Sequence, residues 1–569
     1  MNNSFVNNRK EQYIIIIFQK LLTGLLLFYL YDHFMPDNFI QYIYLVLIIL
    51  GLVLLANRMR LAYPIILVLG GLALSFTDGF SKLTIDPELI FFIFLPPLLY
   101  EAAWQVSWKQ FWKWRRVITS FAFPIVILTS CVVAFASYAL IPGFTLALGF
   151  LLGGIVSPPD AISATTIMRQ VKAPKSLVSI AEGESLLNDA SSLIVFRFAL
   201  AAVITGQFHF QEAAMNFFVV IIMGTLIGLA IAFVLYFIHR HLITSSNVEI
   251  VLTLVSPYLM YYFAEYFHFS GVLAVVSGGL FLSSRRQSML TYRSRVQGIN
   301  VWVNLVFVMN GLIFLLIGLQ LPSIVNQLGD TSLPKAIGYG LAISFVLIIA
   351  RFLCTFGASL FTRFISRFIK VADPNPGWKG PLILGWGGMR GVVSLAMALS
   401  IPLFINGQAF PYRYLILFIT FIVILVTLVF QGLTLPWIIQ KVKLEGLPGA
   451  IPEQEQELII QKKIAMVSLQ LLDEKYDGER KQNEHLNILS SRLQTELNFF
   501  QQDLKELANS TDNTLISFQR IYLELLERQR LMLKEMNRKD EFDEDLIRKY
   551  LALIDLEELK TREKLIQGV

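Results

Sequence analysis

The chain has 569 residues, of which 55% are hydrophobic and only 15% charged, and its mean hydropathy is +0.61. Soluble domains carry roughly 25% charged residues, so this balance excludes a soluble fold and points to a membrane protein. The formal charge of +6 does not imply nucleic acid as a partner, because the basic residues of the apolar region fall mostly in short loops, where they orient membrane spans.

In chain order, the first apolar segment covers residues 13–31 and follows Arg9 and Lys10. It reads as an extra N-terminal helix, domain 1–36, rather than a signal segment. Gln19 and Lys20 interrupt it and no small-residue cleavage site follows. The membrane domain, 37–442, then shows apolar runs of the length that crosses a hydrocarbon core of roughly 30 Å. They lie at 39–56, 62–78, 87–103, 117–141, 145–169, 176–205, 213–238, 248–267, 270–282, 299–320, 335–361, 380–404 and 411–439. Alternate loops hold the cations: Arg58 and Arg60, Lys109 to Arg116, Arg169 to Lys175, Arg240, Arg285 to Arg295, and Arg363 to Lys370. These loops are expected on the cytoplasmic side. From 443 to 569 the composition turns charged with apolar residues at helical spacing. That is a cytoplasmic helical tail, either a bundle with a partner surface or a solvated appendage. Cys131 and Cys354 both sit inside apolar runs, which leaves no basis for a disulfide framework or a thiolate metal site. The six histidines are scattered, with His239 and His241 read as loop residues, and no cofactor is expected.

Ionisable residues inside spans cost about 2.5–3.5 kcal/mol each on insertion scales, so each is a functional candidate that needs a partner. Asp160 follows Pro158 and Pro159 in the fifth span. The two prolines remove two backbone donors and break the helix beside the acid. A simple proline kink is the plainer explanation; a cation site formed by the carboxylate and loosened carbonyls is the functional one. The sixth span contains EGESLLNDASS, in which Ser185 and Asp189 share one face while Glu184 and Asn188 share the adjoining one. Three arginines lie well inside spans, away from their ends: Arg197, Arg351 and Arg390. Burying any of them unpaired costs several kcal/mol, so acids and arginines are expected to meet. Arg197 is too far along its helix to reach Glu184, so Arg351 and Arg390 are the expected partners, and Glu184 reads as a structural ion-pair residue. Glu265 reads as a solvated acid at the outer end of its span. Gly385, Gly387, Gly388 and Gly391 weaken the twelfth span. If the spans form inverted halves, the fifth and twelfth occupy matching places, as paired broken helices do around a transport site.

EGESLLND, FFIFLPPLLYEAAW at 91–104, SPPDA and GGMRGVVSLA together resemble the Na+/H+ exchanger branch of the monovalent cation/proton antiporters, in its bacterial NhaP-like form, over about residues 39–440. The resemblance implies an all-α polytopic membrane protein of about 13 transmembrane helices in two inverted repeats with broken crossing helices. It implies a homodimer in the bacterial plasma membrane that exchanges Na+ or Li+ for protons and is not an enzyme. Asp189 and Asp160 would be the ion-binding, proton-coupled carboxylates, with Ser185 and the carbonyl of Pro159 completing the Na+ shell. Glu184 would pair with Arg351, Asn188 would mark the electroneutral form, and Arg390 would support the core. Many relatives have Thr-Asp-Pro at the break; here the resemblance leaves Ser157, two places further from the aspartate, as the oxygen that would substitute. K+/H+ exchange, a cation channel, a membrane-anchored sensor and an intramembrane aspartyl protease are the alternatives. The protease reading lacks its glycine-aspartate motif.

Overall fold

A computed structural model describes residues 39–59, 63–77, 87–171, 173–206, 210–242, 245–329, 331–369, 371–373, 376–405, 407–442, 453–506, 514–536 and scattered positions in 547–561. The expected helix at 13–31 lies outside the described residues. The chain divides into two compact units, Met1–Leu444 and Glu445–Val569.

A helix is found in each of the thirteen apolar segments. They are α1 (Phe39–Met59), α2 (Tyr63–Leu74), α3 (Pro87–Gln105) and α4 (Trp108–Leu140). Then come α5 (Leu146–Val156) and α6 (Ala161–Gln170), the two halves of one interrupted segment, and α7 (Lys175–Thr205). Next are α8 (Phe210–His241), α9 (Ser246–Tyr266), α10 (Gly271–Met289), α11 (Tyr292–Asn326) and α12 (Leu333–Ile365). The halves α13 (Lys379–Trp386) and α14 (Val392–Leu399) make the second interrupted segment, and α15 (Arg413–Val442) closes the unit. Among the described residues, six helices are long and apolar enough to cross a membrane by length and composition: α7, α11, α12, α4, α15 and most of α8. Between α14 and α15 a two-residue hairpin pairs Phe404 with Ala409 and Ile405 with Gln408, a turn that apolar patterning does not announce.

Packing divides the unit into two groups of helices. The interrupted pairs α5/α6 and α13/α14 are surrounded by α4, α7, α12 and α15, whereas α1, α2, α3, α8, α9, α10 and α11 pack chiefly on one another. In the second group α2 and α11 touch through backbone: a Cβ at Gly318 would lie 2.1 Å from the Val68 carbonyl. Small residues permit this approach, and van der Waals contact then replaces the hydrophobic drive that lipid does not supply. Both α4 and α15 contain a π-helical turn, at Phe121–Ile125 and Thr427–Gln431. Such turns accompany functional sites in otherwise regular helices, and both abut the residues described below.

The second unit is helical: α16 (Glu453–Lys475), α17 (Asp477–Gln482), α18 (Glu484–Glu506) and α19 (Thr514–Met536). Helix α16 packs along α18. Arg530 on α19 donates to Asp555 at 2.7 Å and to Glu527 at 3.0 Å, and also pairs with Glu558.

Candidate functional site

The two interrupted segments meet at their breaks. Pro158 and Pro159 have no backbone N–H, so helix α5 ends at Val156 with carbonyls that lack intrahelical donors. Arg390, in the break between α13 and α14, supplies those donors. Its Nε donates to the Val156 carbonyl at 2.9 Å and its Nη2 to the Ser157 carbonyl at 3.3 Å. Nη1 donates to Gly388 within its own break, and the backbone N–H of Arg390 donates to Thr427 Oγ1 at 3.1 Å. Thr427 stands in the π-helical turn of α15. The guanidinium is fully buried, and its place at the C-terminal end of α5 complements the partial negative charge there. In return, the backbone N–H of Asp160 donates to the Met389 carbonyl at 2.7 Å.

Asp160 stands immediately before α6, and its carboxylate lies over Gly391, immediately before α14. A Cβ at residue 391 would come within 2.0 Å of Asp160 Oδ2. Glycine is therefore required there by space. Helix α7 crosses beside this point. Asn188 Nδ2 donates to the Pro159 carbonyl at 2.9 Å across 29 residues of chain, while Asn188 Oδ1 is buried without a partner among the described residues. A carbonyl oxygen has two lone pairs, so Pro159 keeps one after this bond. Asp189, the next residue, is 7% exposed. Its carboxylate carries no hydrogen bond among the described residues; Ser192 Oγ donates instead to its backbone carbonyl at 3.0 Å. The Asn188–Pro159 bond brings the residues that follow them, Asp189 and Asp160, to the same junction. Ser185 lies one turn before Asp189 on the same helix, partly buried. The Ser157 hydroxyl accepts from Ser130 Oγ at 3.0 Å and its carbonyl accepts from Arg390.

One turn from the crossing, Glu184 and Arg351 form an ion pair at 2.5 Å with both side chains 3% exposed. The Arg351 guanidinium also lies 5.6 Å from the centre of the Phe121 ring, in the π-helical turn of α4. Arg390 hydrogen-bonds backbone carbonyls rather than Glu184.

Two sequence expectations change, and one functional residue was missed. Glu265 is not simply a solvated acid: it takes both its oxygens to Arg197 Nη2 at 2.7 Å and accepts the Gly271 N–H at 3.0 Å. The arginine that could not reach Glu184 thus finds an acid on another helix. His239 and His241 are not in a loop; both end α8, and His239 is buried with neither ring nitrogen bonded among the described residues. Arg413, which sequence reasoning did not single out, is buried, and donates to the Ile401 carbonyl at 2.9 Å and the Leu399 carbonyl at 3.3 Å. It closes the end of α14 as Arg390 closes the end of α5. An arginine at the border of an apolar run, a dozen residues after a short helix, is the signal that would have found it.

Two interrupted helices that meet at their breaks inside an all-helical membrane unit, with acids at the junction, define a class of polytopic membrane protein. Residues 44–441 match the family model described as sodium/hydrogen exchanger, transmembrane, and the chain belongs to that family. It is 33% identical over 410 residues to the "Sodium, potassium, lithium and rubidium/H(+) antiporter" of Bacillus subtilis, a match covering 69% of this chain and 60% of that one. It is 34% identical over 392 residues to the "Low-affinity Na(+)/H(+) antiporter NhaS1" of Synechocystis, covering 68% and 71%. A third relative, the "Uncharacterized Na(+)/H(+) exchanger YjcE" of Escherichia coli, is 29% identical over 90% of this chain and 96% of its own. The solved sodium proton antiporter MjNhaP1 of Methanocaldococcus jannaschii superposes with a TM-score of 0.57 over 72% of this chain and all of that one, at 17% identity. That likeness is one of fold.

Proposed function

We propose that this chain is a secondary active antiporter of the bacterial plasma membrane, which exchanges Na+ or Li+ for a proton electroneutrally and so serves pH and sodium homeostasis. The observation that carries this reading is Asp189: a carboxylate buried at the junction of two interrupted helices, without a hydrogen-bond donor among the described residues, at the break that carries the second acid Asp160. A carboxylate left in that condition needs either a proton or a cation. It cannot hold both at once, and that competition is exchange.

In this reading Asp189, Asp160, Ser185 and the Pro159 carbonyl surround the cation. Asn188 holds the break in place through Pro159, and Arg390 holds it through Val156 and Ser157. Glu184 is neutralised by Arg351 and takes no part in the competition. With a cation or proton bound, the site is compensated and its helices can move past the remaining membrane helices; empty and charged, it resists transfer through an apolar barrier. Coupling without leak follows. The proposed arrangement has thirteen crossings in two inverted halves, a homodimer embedded in lipid, and a cytoplasmic tail of 443–569. The Bacillus relative's description, which includes potassium and rubidium, supports a second reading in which K+ is also carried.

The test is proton movement in sealed vesicles holding purified protein, on addition of Na+, Li+ or K+. Wild type should move protons in response to Na+ and Li+, and Asp189→Asn should not. Undiminished exchange in Asp189→Asn would remove that residue from the mechanism, and a current persisting without proton coupling would replace the antiporter with a channel. Competition also sets the pH response. Lowering pH should raise the cation concentration needed for half-maximal rate, and saturating cation should restore the rate.

A further inference from the structure

We propose that the first turns of α4, residues 108–116, form a docking face for the headgroups of anionic phospholipids. The proposal rests on reading α4 as a membrane-crossing helix, and begins from its length. Thirty-three residues at 1.5 Å per residue extend about 50 Å, beyond a hydrocarbon core of roughly 30 Å. The apolar part starts at Val117. The preceding nine residues, WKQFWKWRR, therefore lie at the level of the headgroups.

Their side chains are arranged for that layer. At about 100° per residue, Arg115, Trp108, Trp112, Arg116, Lys109 and Lys113 fall in that angular order within about 160° of arc, and all six are exposed. The opposite side buries Trp114 and Ile118. The Trp108 and Trp112 rings stack at 5.8 Å, and the Arg115 guanidinium lies 4.6 Å from the centre of the Trp112 ring while donating to the Trp112 carbonyl at 2.6 Å. The face is thus partly ordered before anything binds. No Asp or Glu occurs between Glu101 and Asp160, and nearby Glu182 is already paired with Arg169. Three cations, Lys109, Lys113 and Arg115, without an acid partner among the described residues suit a phosphate; indole rings beside them suit the boundary between headgroup and acyl chain. A lipid satisfies both, and free phosphate only the first.

The buried side of the same turns reaches the candidate site. Ile118 fills the space over Gly183 of α7, where a Cβ would lie 2.6 Å from Ile118 Cδ1. One turn on, Phe121 lies against Arg351, the partner of Glu184. A lipid that holds the outer face of α4 therefore steadies the surface on which the acid-bearing helix rests.

The experiment uses the full-length protein in neutral detergent, with thermal unfolding followed as phosphatidylglycerol, phosphatidylcholine or inorganic phosphate is added. Phosphatidylglycerol should raise the unfolding temperature, and the other two should not. Each Lys or Arg near an anionic surface contributes roughly a fivefold gain in binding, so Lys109→Gln/Lys113→Gln/Arg115→Gln should need at least tenfold more phosphatidylglycerol for the same rise. Added salt should weaken the wild-type response, a check that needs no variant. Equal shifts from both lipids, a shift from phosphate alone, or an unaltered response in the triple variant would overturn the proposal. In vesicles, the exchange rate of wild type should climb with phosphatidylglycerol content while that of the variant stays flat. Because the binding measurement needs no transport, absent exchange would overturn the antiporter reading alone, and an absent lipid-specific shift would overturn the docking face alone.

Discussion

Two acidic regions of α7 lie little more than one turn apart and differ in one respect, the presence of a partner. Glu184 meets Arg351 at 2.5 Å. Asp189 stands at the break that carries Asp160 and meets no side-chain donor among the described residues. Both are buried, so burial alone does not distinguish a structural acid from a functional one. The compensated acid belongs to the fold, whereas the uncompensated one is available to an ion.

The sharpest way to break this comparison is to neutralise each acid in turn. Asp189→Asn should reduce cation-driven proton movement to the level of protein-free vesicles while leaving the unfolding temperature no lower than that of wild type, because no arginine loses its partner. Glu184→Gln should do the reverse. Orphaning a buried Arg351 costs about 3–5 kcal/mol, read as a large fall in unfolding temperature, and Arg351→Met in the same chain should restore much of the loss. A fall in stability for Asp189→Asn, or none for Glu184→Gln, would erase the distinction.

Smaller effects sharpen it. Gly391→Ala puts a methyl group where Asp160 Oδ2 now lies, and should weaken exchange severely while costing about 1–3 kcal/mol of stability, the usual range for overpacking. Asn188→Ala removes the bond to Pro159; it should cost about 0.5–1.5 kcal/mol and raise the cation concentration required for half-maximal rate. Arg197→Gln breaks a pair whose side chains are 37% and 27% exposed, and should cost no more than about 1 kcal/mol with exchange unchanged. Thermal unfolding and vesicle assays on the same preparations rank all three.

Much of this was legible from composition and local rules. Apolar run length placed the helices, Pro158 and Pro159 placed one break, and the glycines from 385 to 391 placed the other. Local rules worked less well where a residue's partner comes from far along the chain. Glu265 looked solvated because its partner Arg197 is 68 positions away, and Arg413 did not stand out because the carbonyls it closes lie at the end of a helix of only 8 residues. His239 looked like a loop residue because nothing in its neighbours shows that α8 runs to His241.

The sequence by itself determined the kind of protein, its helices, the positions at which two of them break, and the acids worth suspecting, because length, hydropathy and missing backbone donors act within a few residues. Only the tertiary structure decided the pairings. Arg390 could have met an acid but closes α5 instead, 234 residues away in the chain, while Glu184 took Arg351 and Asp189 took no donor among the described residues. Hydrogen bonds and ion pairs form over about 3 Å, and which groups come that close is set by how the helices pack.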